Sequence, residues 1–390
     1  MKIGFISLLN PHDRKVTSGT LFKMYESLDK LDLDVVWISG GFSKFYDVLN
    51  RIYLHSMTII KKITNKNYIA GYSNISSFLL YKLINKNLIE TVDILFVPFS
   101  FSIAIASHIK TNKPIIYLSD ATFDLMIDYN LLYFNLFRFN INQGLKIEKK
   151  AMDKSAAIVL SSDWARKSVI NDYLQPEEKV HIIEFGANID DKDIIMPEEK
   201  SKDTLHLLFS GVDWQGKGGD IAIAACEELN KMGINSIIHI AGITNLKQSI
   251  IDLPFVDYIG FLDKNIPEQY SLLIDTIKKC HCLLLPTQAE AAGIVFVECS
   301  AFGLPSFSYQ TGGVGNYVLD GQNGYLLPLS ATAKDFAKKI SECYLNGEME
   351  KMSHTAIDIY KSKLNWDIWG EKIADIIKIC TEQKLNNLNP

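Results

Sequence analysis

Two carboxylates with seven residues between them, Glu290 and Glu298, stand in the stretch Ala289-Glu290-Ala291-Ala292-Gly293-Ile294-Val295-Phe296-Val297-Glu298. The apolar run ahead of them, Cys282-Leu283-Leu284-Leu285-Pro286, reads as a buried parallel strand. Behind them, Cys299-Ser300-Ala301-Phe302-Gly303-Leu304-Pro305 reads as a helix stop followed by the next strand. The chain is expected to turn at the carboxyl end of a strand, with one carboxylate in the turn and the second about two helical turns on. Gly293 lets backbone approach a ligand with no Cβ in the way. Strand ends and helix N-termini are where open α/β sheets bind anionic ligands. Ionised carboxylates only accept hydrogen bonds, which suits sugar hydroxyls, and exposed N–H groups suit phosphate. The combination suits a nucleotide sugar.

A second stretch offers the matching cation. Phe209-Ser210-Gly211-Val212-Asp213-Trp214-Gln215-Gly216-Lys217-Gly218-Gly219-Asp220 runs from a strand through a glycine-rich loop into a helical pattern. Lys217 ahead of a helix N-terminus adds a point charge to the positive helix end, an arrangement suited to a diphosphate. A lysine in a solvated loop is the plain alternative. The loop is no P-loop, because the Gly-x-x-x-x-Gly-Lys-Ser/Thr spacing is absent.

Glu290 and Glu298 resemble the paired-glutamate signature of retaining glycosyltransferases of family 4, which have the GT-B fold. Gly211 to Gly218 is similar to that family's phosphate-binding loop. Thr311-Gly312-Gly313-Val314 and Asp320-Gly321-Gln322-Asn323-Gly324-Tyr325-Leu326-Leu327-Pro328 resemble the stretch that follows the signature, and Val16-Thr17-Ser18-Gly19-Thr20 takes the place of the glycine loop of the first domain. The resemblance covers most of the chain and is strongest over residues 205–330.

The resemblance implies roles. Glu298 would accept from both ribose hydroxyls, charge-assisted bonds of roughly 1.5–3 kcal/mol each. Glu290 would hold hydroxyls of the transferred sugar. Backbone N–H groups at Gly293, Ile294 and Val295 would meet sugar and phosphate, and Lys217 beside Gly218 would offset charge on the leaving diphosphate. Phe261-Leu262 match the place where the base packs, and Gly19 and Thr20 would close over the diphosphate from the first domain. The chain departs from the family twice. No arginine precedes Lys217, where Val212-Asp213-Trp214 stands, and Ser119-Asp120-Ala121-Thr122 replaces a stretch that often carries a histidine. Asp120 suits a hydrogen bond to a donor-sugar hydroxyl or to the acceptor, and equally the capping of a helix from Thr122 onward.

Short apolar runs alternating with helical patterns must position these groups, the pattern of parallel sheets covered on both faces. Strands are expected at Lys2–Leu8, Asp34–Ser39, Asp93–Pro98, Pro114–Ser119, Ala156–Ser161 and His181–Phe185. A second set follows at Leu205–Ser210, Ser236–Ala241, Val256–Gly260, Cys280–Pro286, Ser306–Tyr309 and Gly324–Pro328. Two sets predict an α/β chain of two doubly wound Rossmann-like domains facing across a cleft, 1–187 on the acceptor side and 188–365 for the donor. The stretch from Asn188 to Asp203, rich in Asp, Glu and Lys, marks the boundary, and a last helix at 366–385 is expected to pack back on the first domain.

At 390 residues, 47% hydrophobic and 22% charged, the chain has the make-up of an ordinary folded protein, and a net charge of −5 argues against nucleic-acid binding. Residues 1–190 carry 22 Lys and Arg against 19 Asp and Glu, leaving 18 against 26 beyond, so the first half is the one to meet an anionic surface. Six cysteines without zinc spacing suit a reducing, cytoplasmic setting, and no apolar run reaches membrane-spanning length. The histidines show no paired metal spacing, so neither a metal nor a further cofactor is expected beside the donor. Residues 44–66 mix basic and apolar residues at helical spacing. They read either as an interfacial helix on anionic membrane or, more plainly, as a helix packing its apolar face on the sheet. The aromatic run Tyr129 to Phe139 reads as core packing, a groove for a lipid-linked acceptor or a membrane edge.

The expected reaction is transfer of a sugar from a nucleoside diphosphate sugar to a glycan or lipid-linked acceptor hydroxyl with retention, in envelope polysaccharide or lipopolysaccharide synthesis. A sugar-nucleotide epimerase and a catalytically silent binding protein are the rival readings.

Overall fold

The computed structural model describes residues 1–31, 33–41, 43–194, 200 and 203–388. Of the expected boundary stretch, 195–199 and 201–202 lie outside the described residues. The chain divides into two compact units, Met1–Ile183 together with the chain from Trp369 onward, and Glu184–Ile368.

The first unit holds a parallel sheet of β1 (Lys2–Ile6), β2 (Asp34–Ile38), β3 (Ile94–Pro98), β4 (Ile115–Ser119), β5 (Ala157–Leu160) and β6 (Val180–Ile182), in the order β2-β1-β3-β4-β5-β6. Its helices are α1 (Thr20–Asp29), α2 (Lys44–Thr64), α3 (Asn74–Leu83), α4 (Lys86–Glu90), α5 (Phe99–Ala106), α6 (Phe123–Met126), α7 (Arg138–Lys154) and α8 (Asp163–Asn171). The second unit repeats the plan with β7 (Leu205–Ser210), β8 (Ser236–Ala241), β9 (Val256–Gly260), β10 (Cys282–Leu285), β11 (Ser306–Tyr309) and β12 (Gly324–Leu327), in the order β12-β11-β10-β7-β8-β9. It carries α9 (Gly219–Lys231), α10 (Gln248–Ile251), α11 (Pro267–Lys279), α12 (Ile294–Ala301), α13 (Ala333–Leu345) and α14 (Glu348–Ser362), and α15 (Trp366–Leu388) is the last helix of the described residues.

The central strands β3, β4, β5 and β10 are buried at every residue, which is why they appear in sequence as unbroken apolar runs. In the first unit Phe5 of β1 stacks on Phe96 of β3, ring centres 5.5 Å apart, and Trp369 of α15 meets Phe96 edge-on at 6.1 Å. Trp369 is wholly buried, so α15 is anchored by an aromatic as well as by its apolar face. The six cysteines are all free and buried.

Each of the twelve expected strands is present. The sixth is displaced: it runs Val180–Ile182, because the chain beyond turns away, and the N–H of Phe185 is taken by Tyr317 Oη at 3.3 Å instead of a strand neighbour. Strand order reverses beside β1 in the first unit and beside β7 in the second. The carboxyl ends of β1 and β3, and of β7 and β10, are therefore the switch points where such sheets open a crevice for ligand.

Helix α2 overturns the plainer expectation for residues 44–66. Of its residues only Asn50 and Met57 are buried, while Phe45, Ile52 and Ile63 are exposed by 67%, 61% and 78%. Its apolar stripe does not pack on the sheet. No described helix is long and apolar enough to cross a membrane.

Candidate functional site

The second unit gathers the residues singled out there at its switch point. The loop after β7 carries Lys217 and Gly218, and the loop after β10 carries Glu290 and Gly293. Hydrogen bonds stitch the two together: Gln288 N–H and Thr287 Oγ1 both donate to Gly216 O, at 3.1 and 3.2 Å. The loop after β11 joins them, with Thr311 Oγ1 donating to Gln288 O at 3.0 Å and Gly313 N–H to Glu290 O at 3.0 Å.

Gly218 is required here. It takes φ +74° as the N-cap of α9, and a Cβ on it would lie 2.1 Å from Pro286 O. Only glycine supports both the left-handed backbone and this approach of two loops. Gly293 plays the same part for α12, at φ +83°, where a Cβ would fall 2.5 Å from the Phe296 ring and 3.1 Å from Glu290 Cγ. The left-handed turn delays the helix to Ile294. Glu290 therefore stands in the loop, and Glu298 lies little more than one helical turn beyond Gly293 rather than two turns from Glu290. Ile294 and Val295 are the first two residues of α12, whose N–H groups have no acceptor within the helix, while Phe296 N–H already bonds Gly293 O at 3.0 Å.

Both carboxylates are ion-paired. Lys217 Nζ bonds Glu290 Oε2, and Lys264 Nζ bonds Glu298 Oε1. The pairs are largely out of water, Glu298 exposing 7% of its side chain and Lys264 15%. Lys264, in the loop after β9, carries no distinguishing mark in the sequence, where it is one more cation past a strand. Its distinguishing property is its partner, which only the fold supplies. Phe261 and Leu262 begin the same loop, Phe261 exposed by 44% and Leu262 half-buried.

The stretch Val212-Asp213-Trp214, where the resemblance would place an arginine, builds the loop itself. Asp213 Oδ1 accepts from Gly216 N–H at 3.1 Å, and Trp214 Nε1 donates to Asp220 Oδ1 at 2.8 Å with its ring over Gly219. These contacts hold Lys217 at the head of α9. The histidines scattered in sequence also converge, near the amino ends of β7 and β10. Asp257 Oδ2 bonds His239 Nδ1 at 2.7 Å, His239 Nε2 meets His206 Nδ1 at 2.9 Å, and His281 Nδ1 accepts from His206 N–H at 3.0 Å. Burial first, then the neighbouring charge of His239, pushes His206 down to about 4.

In the first unit, Gly19 (φ +92°) follows Thr17 and Ser18, which hold φ +48° and +57°, and Thr20 opens α1 as a buried residue. Phe99, just past β3 at the same switch point, holds φ +60°. Strained non-glycine backbone of this kind collects at functional sites, and nothing in the sequence marks it. Asp120 follows β4 and is half-buried. The cap of α6 is Thr122 itself, whose Oγ1 accepts from Leu125 N–H at 3.2 Å, so capping is not the task of Asp120.

Beneath that turn lies Glu148, on α7 and fully buried. Its Oε1 accepts from Tyr72 Oη at 3.2 Å and Tyr117 Oη at 3.1 Å, and its Oε2 from Phe123 N–H at 2.7 Å and from Tyr173 Oη. Burial outweighs these four bonds and pushes the carboxyl up to about 7. Glu148 thus pins the backbone three residues beyond Asp120. In sequence it sits among lysines and reads as a solvent-facing residue.

Residues 190–358 match the model of the family described as glycosyl transferases group 1. Alpha-D-kanosaminyltransferase of Streptomyces kanamyceticus is 25% identical over 248 residues, 59% of this chain and 62% of that protein, so the match spans less than two thirds of the relative. An uncharacterized glycosyltransferase, MJ1178, of Methanocaldococcus jannaschii is 24% identical over 321 residues, 81% of this chain and 82% of the relative. Among solved structures, Anabaena Alr3699/HepE in complex with UDP and glucose superposes with a TM-score of 0.65 at 13% identity, over 97% of this chain and 99% of that one. That likeness is one of fold, the GT-B arrangement of two parallel six-stranded sheets with flanking helices.

Proposed function

We propose that this chain, whose residues 190–358 match the glycosyl transferases group 1 family, is a hexosyltransferase that moves a sugar from a nucleoside diphosphate sugar to an acceptor hydroxyl with retention. The observation that carries the reading is the pair of lysine–carboxylate contacts, Lys217–Glu290 in the loops that lead into α9 and α12 at the switch point of the second sheet, and Lys264–Glu298 between the loop after β9 and α12. Carboxylates accept from hydroxyls and helix N-termini receive phosphate, so one wall offers both halves of a nucleotide sugar their complements. The UDP and glucose in the HepE complex support a donor of this class.

In this reading Glu298 holds the ribose and Glu290 the transferred sugar. Lys217 turns from Glu290 to the diphosphate as the donor enters, so the charge that leaves with the nucleotide is met by a group already in place. The protein contributes positioning and electrostatics to a front-side displacement, in which the departing phosphate takes the acceptor proton. Phe261 and Leu262 pack the base, N–H groups at Gly293, Ile294 and Val295 meet sugar and phosphate, and Gly218 keeps the phosphate loop closed on Pro286. Gly19, Thr20 and Asp120 belong to the acceptor-side unit, Asp120 orienting a hydroxyl. No metal enters the scheme. The acceptor is a glycan or a lipid-linked glycan of the bacterial envelope, and the enzyme works in the cytoplasm in peripheral contact with anionic membrane.

A thermal-shift series with UDP, GDP and ADP and their sugars tests the donor. A ligand at about 100 times its dissociation constant adds roughly 2.7 kcal/mol of stability. Glu298→Ala should abolish the shift for every nucleotide, whereas Glu290→Ala should keep the free-nucleotide shift and lose the increment due to the sugar. A protein that no nucleotide shifts, or whose shift survives Glu298→Ala, refutes the reading. Donor consumed without acceptor and returned as an isomer points to an epimerase.

A further inference from the structure

The exposed apolar face of α2 has a recognisable outline. At about 100° per residue, Phe45, Val48, Ile52, Ile59 and Ile63 fall within an arc of about 60°, and the buried Asn50 and Met57 lie roughly 160° away. All five are exposed. Lys44, Arg51 and Lys62 line one border of the stripe by the same geometry, and among residues 44–66 Asp47, paired with Arg51 at 2.9 Å, is the single acidic residue against five basic ones. A helix with one face in the protein, an apolar stripe in water and a basic border has the make-up of a helix lying at a bilayer surface.

A second segment extends this face. The chain leaving α2 locks onto the aromatic run: Asn67 N–H donates to Asn135 O at 3.0 Å, Phe137 N–H to Asn67 O at 3.3 Å, and Asn135 Nδ2 to Asn65 O at 2.8 Å. Leu131, Leu132, Phe134 and Phe139 of that run are exposed by 60%, 68%, 42% and 43%. Core packing therefore fails for these four, although Leu136 between them is buried. Where the two segments meet lies a cavity of about 620 Å³ whose lining includes Lys61, Lys62, Asn65, Asn67, Phe134 and Asn135, with no carboxylate among its lining residues. Two ammonium groups and three side-chain amides line the hollow; Lys62 belongs to the border of the apolar stripe, Lys61 lies round the helix from it, and the Asn67 and Asn135 amides also donate to Phe134 O and Asn65 O.

We infer that α2 and residues 131–139 form a membrane-docking face, with the apolar stripe in the acyl boundary of an anionic bilayer and the Lys61–Lys62 cavity holding a lipid headgroup phosphate. The charge selects an anionic surface over a neutral one, and the hollow selects a headgroup whose phosphate can enter it. The inference deepens the peripheral membrane contact of the proposed function by naming where and through what chemistry it is made.

Co-sedimentation of the full chain with vesicles tests it, using phosphatidylcholine alone and phosphatidylcholine mixed with phosphatidylglycerol. The wild type should bind the mixed vesicles and not the neutral ones. Lys61→Gln with Lys62→Gln should weaken binding about 30-fold, from about fivefold for each surface cation removed. Ile52→Ser with Ile63→Ser should abolish it, and both pairs are exposed enough to leave folding intact, which circular dichroism checks. Failure of the wild type to bind mixed vesicles overturns the inference, as does wild-type binding by either double variant. A change of oligomeric state in the serine variant, or inorganic phosphate shifting the melting of a chain that ignores vesicles, assigns the face to a second copy or the hollow to a free anion, and either overturns it. Vesicle binding needs no donor, so this test and the nucleotide shifts fail separately.

Discussion

Replacing Glu148 by glutamine probes the buried carboxyl that pins the turn beyond Asp120. The carboxyl is moved from an ordinary 4.5 to about 7, with burial the largest cause. A tenfold change in proton affinity is worth about 1.4 kcal/mol, so the folded first unit favours the protonated form by on the order of 3 kcal/mol relative to the unfolded chain. Because the folded value is the raised one, this contribution is complete below about pH 4.5 and is lost as the pH rises through about 7. Glutamine keeps the shape and takes no proton. Its oxygen can face Phe123 N–H and Tyr173, while its NH2 faces Tyr72 and Tyr117, whose hydroxyls turn to accept. The unfolding free energy of the wild type, less that of Glu148→Gln, should therefore fall by roughly 3 kcal/mol between about pH 4.5 and about pH 8. Urea unfolding read by pulsed hydrogen exchange on peptides covering α7 reports the first unit by itself. A difference that stays level across this range would mean that the four hydrogen bonds hold the carboxylate ionised, and the reasoning from burial would be wrong.

Gly218 and Gly347 share φ +74°, but a Cβ on Gly347 meets nothing within 4 Å while one on Gly218 meets Pro286 O at 2.1 Å. Gly347→Ala should cost about 1 kcal/mol and Gly218→Ala about 2 kcal/mol more, by urea unfolding; equal losses would refute the backbone clash. Lys264→Met strands a buried carboxylate and should destabilise the second unit by about 3 kcal/mol, most of it recovered in the double variant with Glu298→Gln; a double variant no more stable than the single one denies the pairing. Burial holds His206 at about 4, below its ordinary 6.5, so its neutral form stabilises the fold at neutral pH and that contribution fades as the pH falls from 6.5 toward 4. The acid-side loss of stability should be shallower in His206→Gln, and an unchanged profile in the same urea series would remove His206 as its source.

How much of the molecule was legible depended on whether the deciding interaction lay within a few residues or across the fold. The strands of both sheets appear in sequence because a parallel strand covered on both faces must be apolar throughout, and the glycines before α9 and α12 appear because helix starts have local chemistry. Glu290, Glu298 and Lys217 could be singled out for the same reason: each stands in a loop or helix that follows a strand its own neighbours define. Lys264 could not, since nothing near it distinguishes it from the other lysines. Glu148 was hidden by its neighbours Lys146, Lys149 and Lys150, whose charges suggest a solvated face, whereas its own surroundings are three tyrosines drawn from distant parts of the chain. In α2 the helical period disclosed an apolar stripe without saying which way it points.

By itself, then, the sequence determined two doubly wound α/β sheets, the loops that end their strands and the carboxylates and lysine carried by those loops and the helix after β10, because periodicity, glycine and chain direction are properties of neighbouring residues. The tertiary structure alone decided that Lys264 faces Glu298, that Glu148 is buried under the Asp120 turn and that the α2 stripe is left in water. Burial and pairing are set by residues that are neighbours only after folding, and no local pattern encodes them.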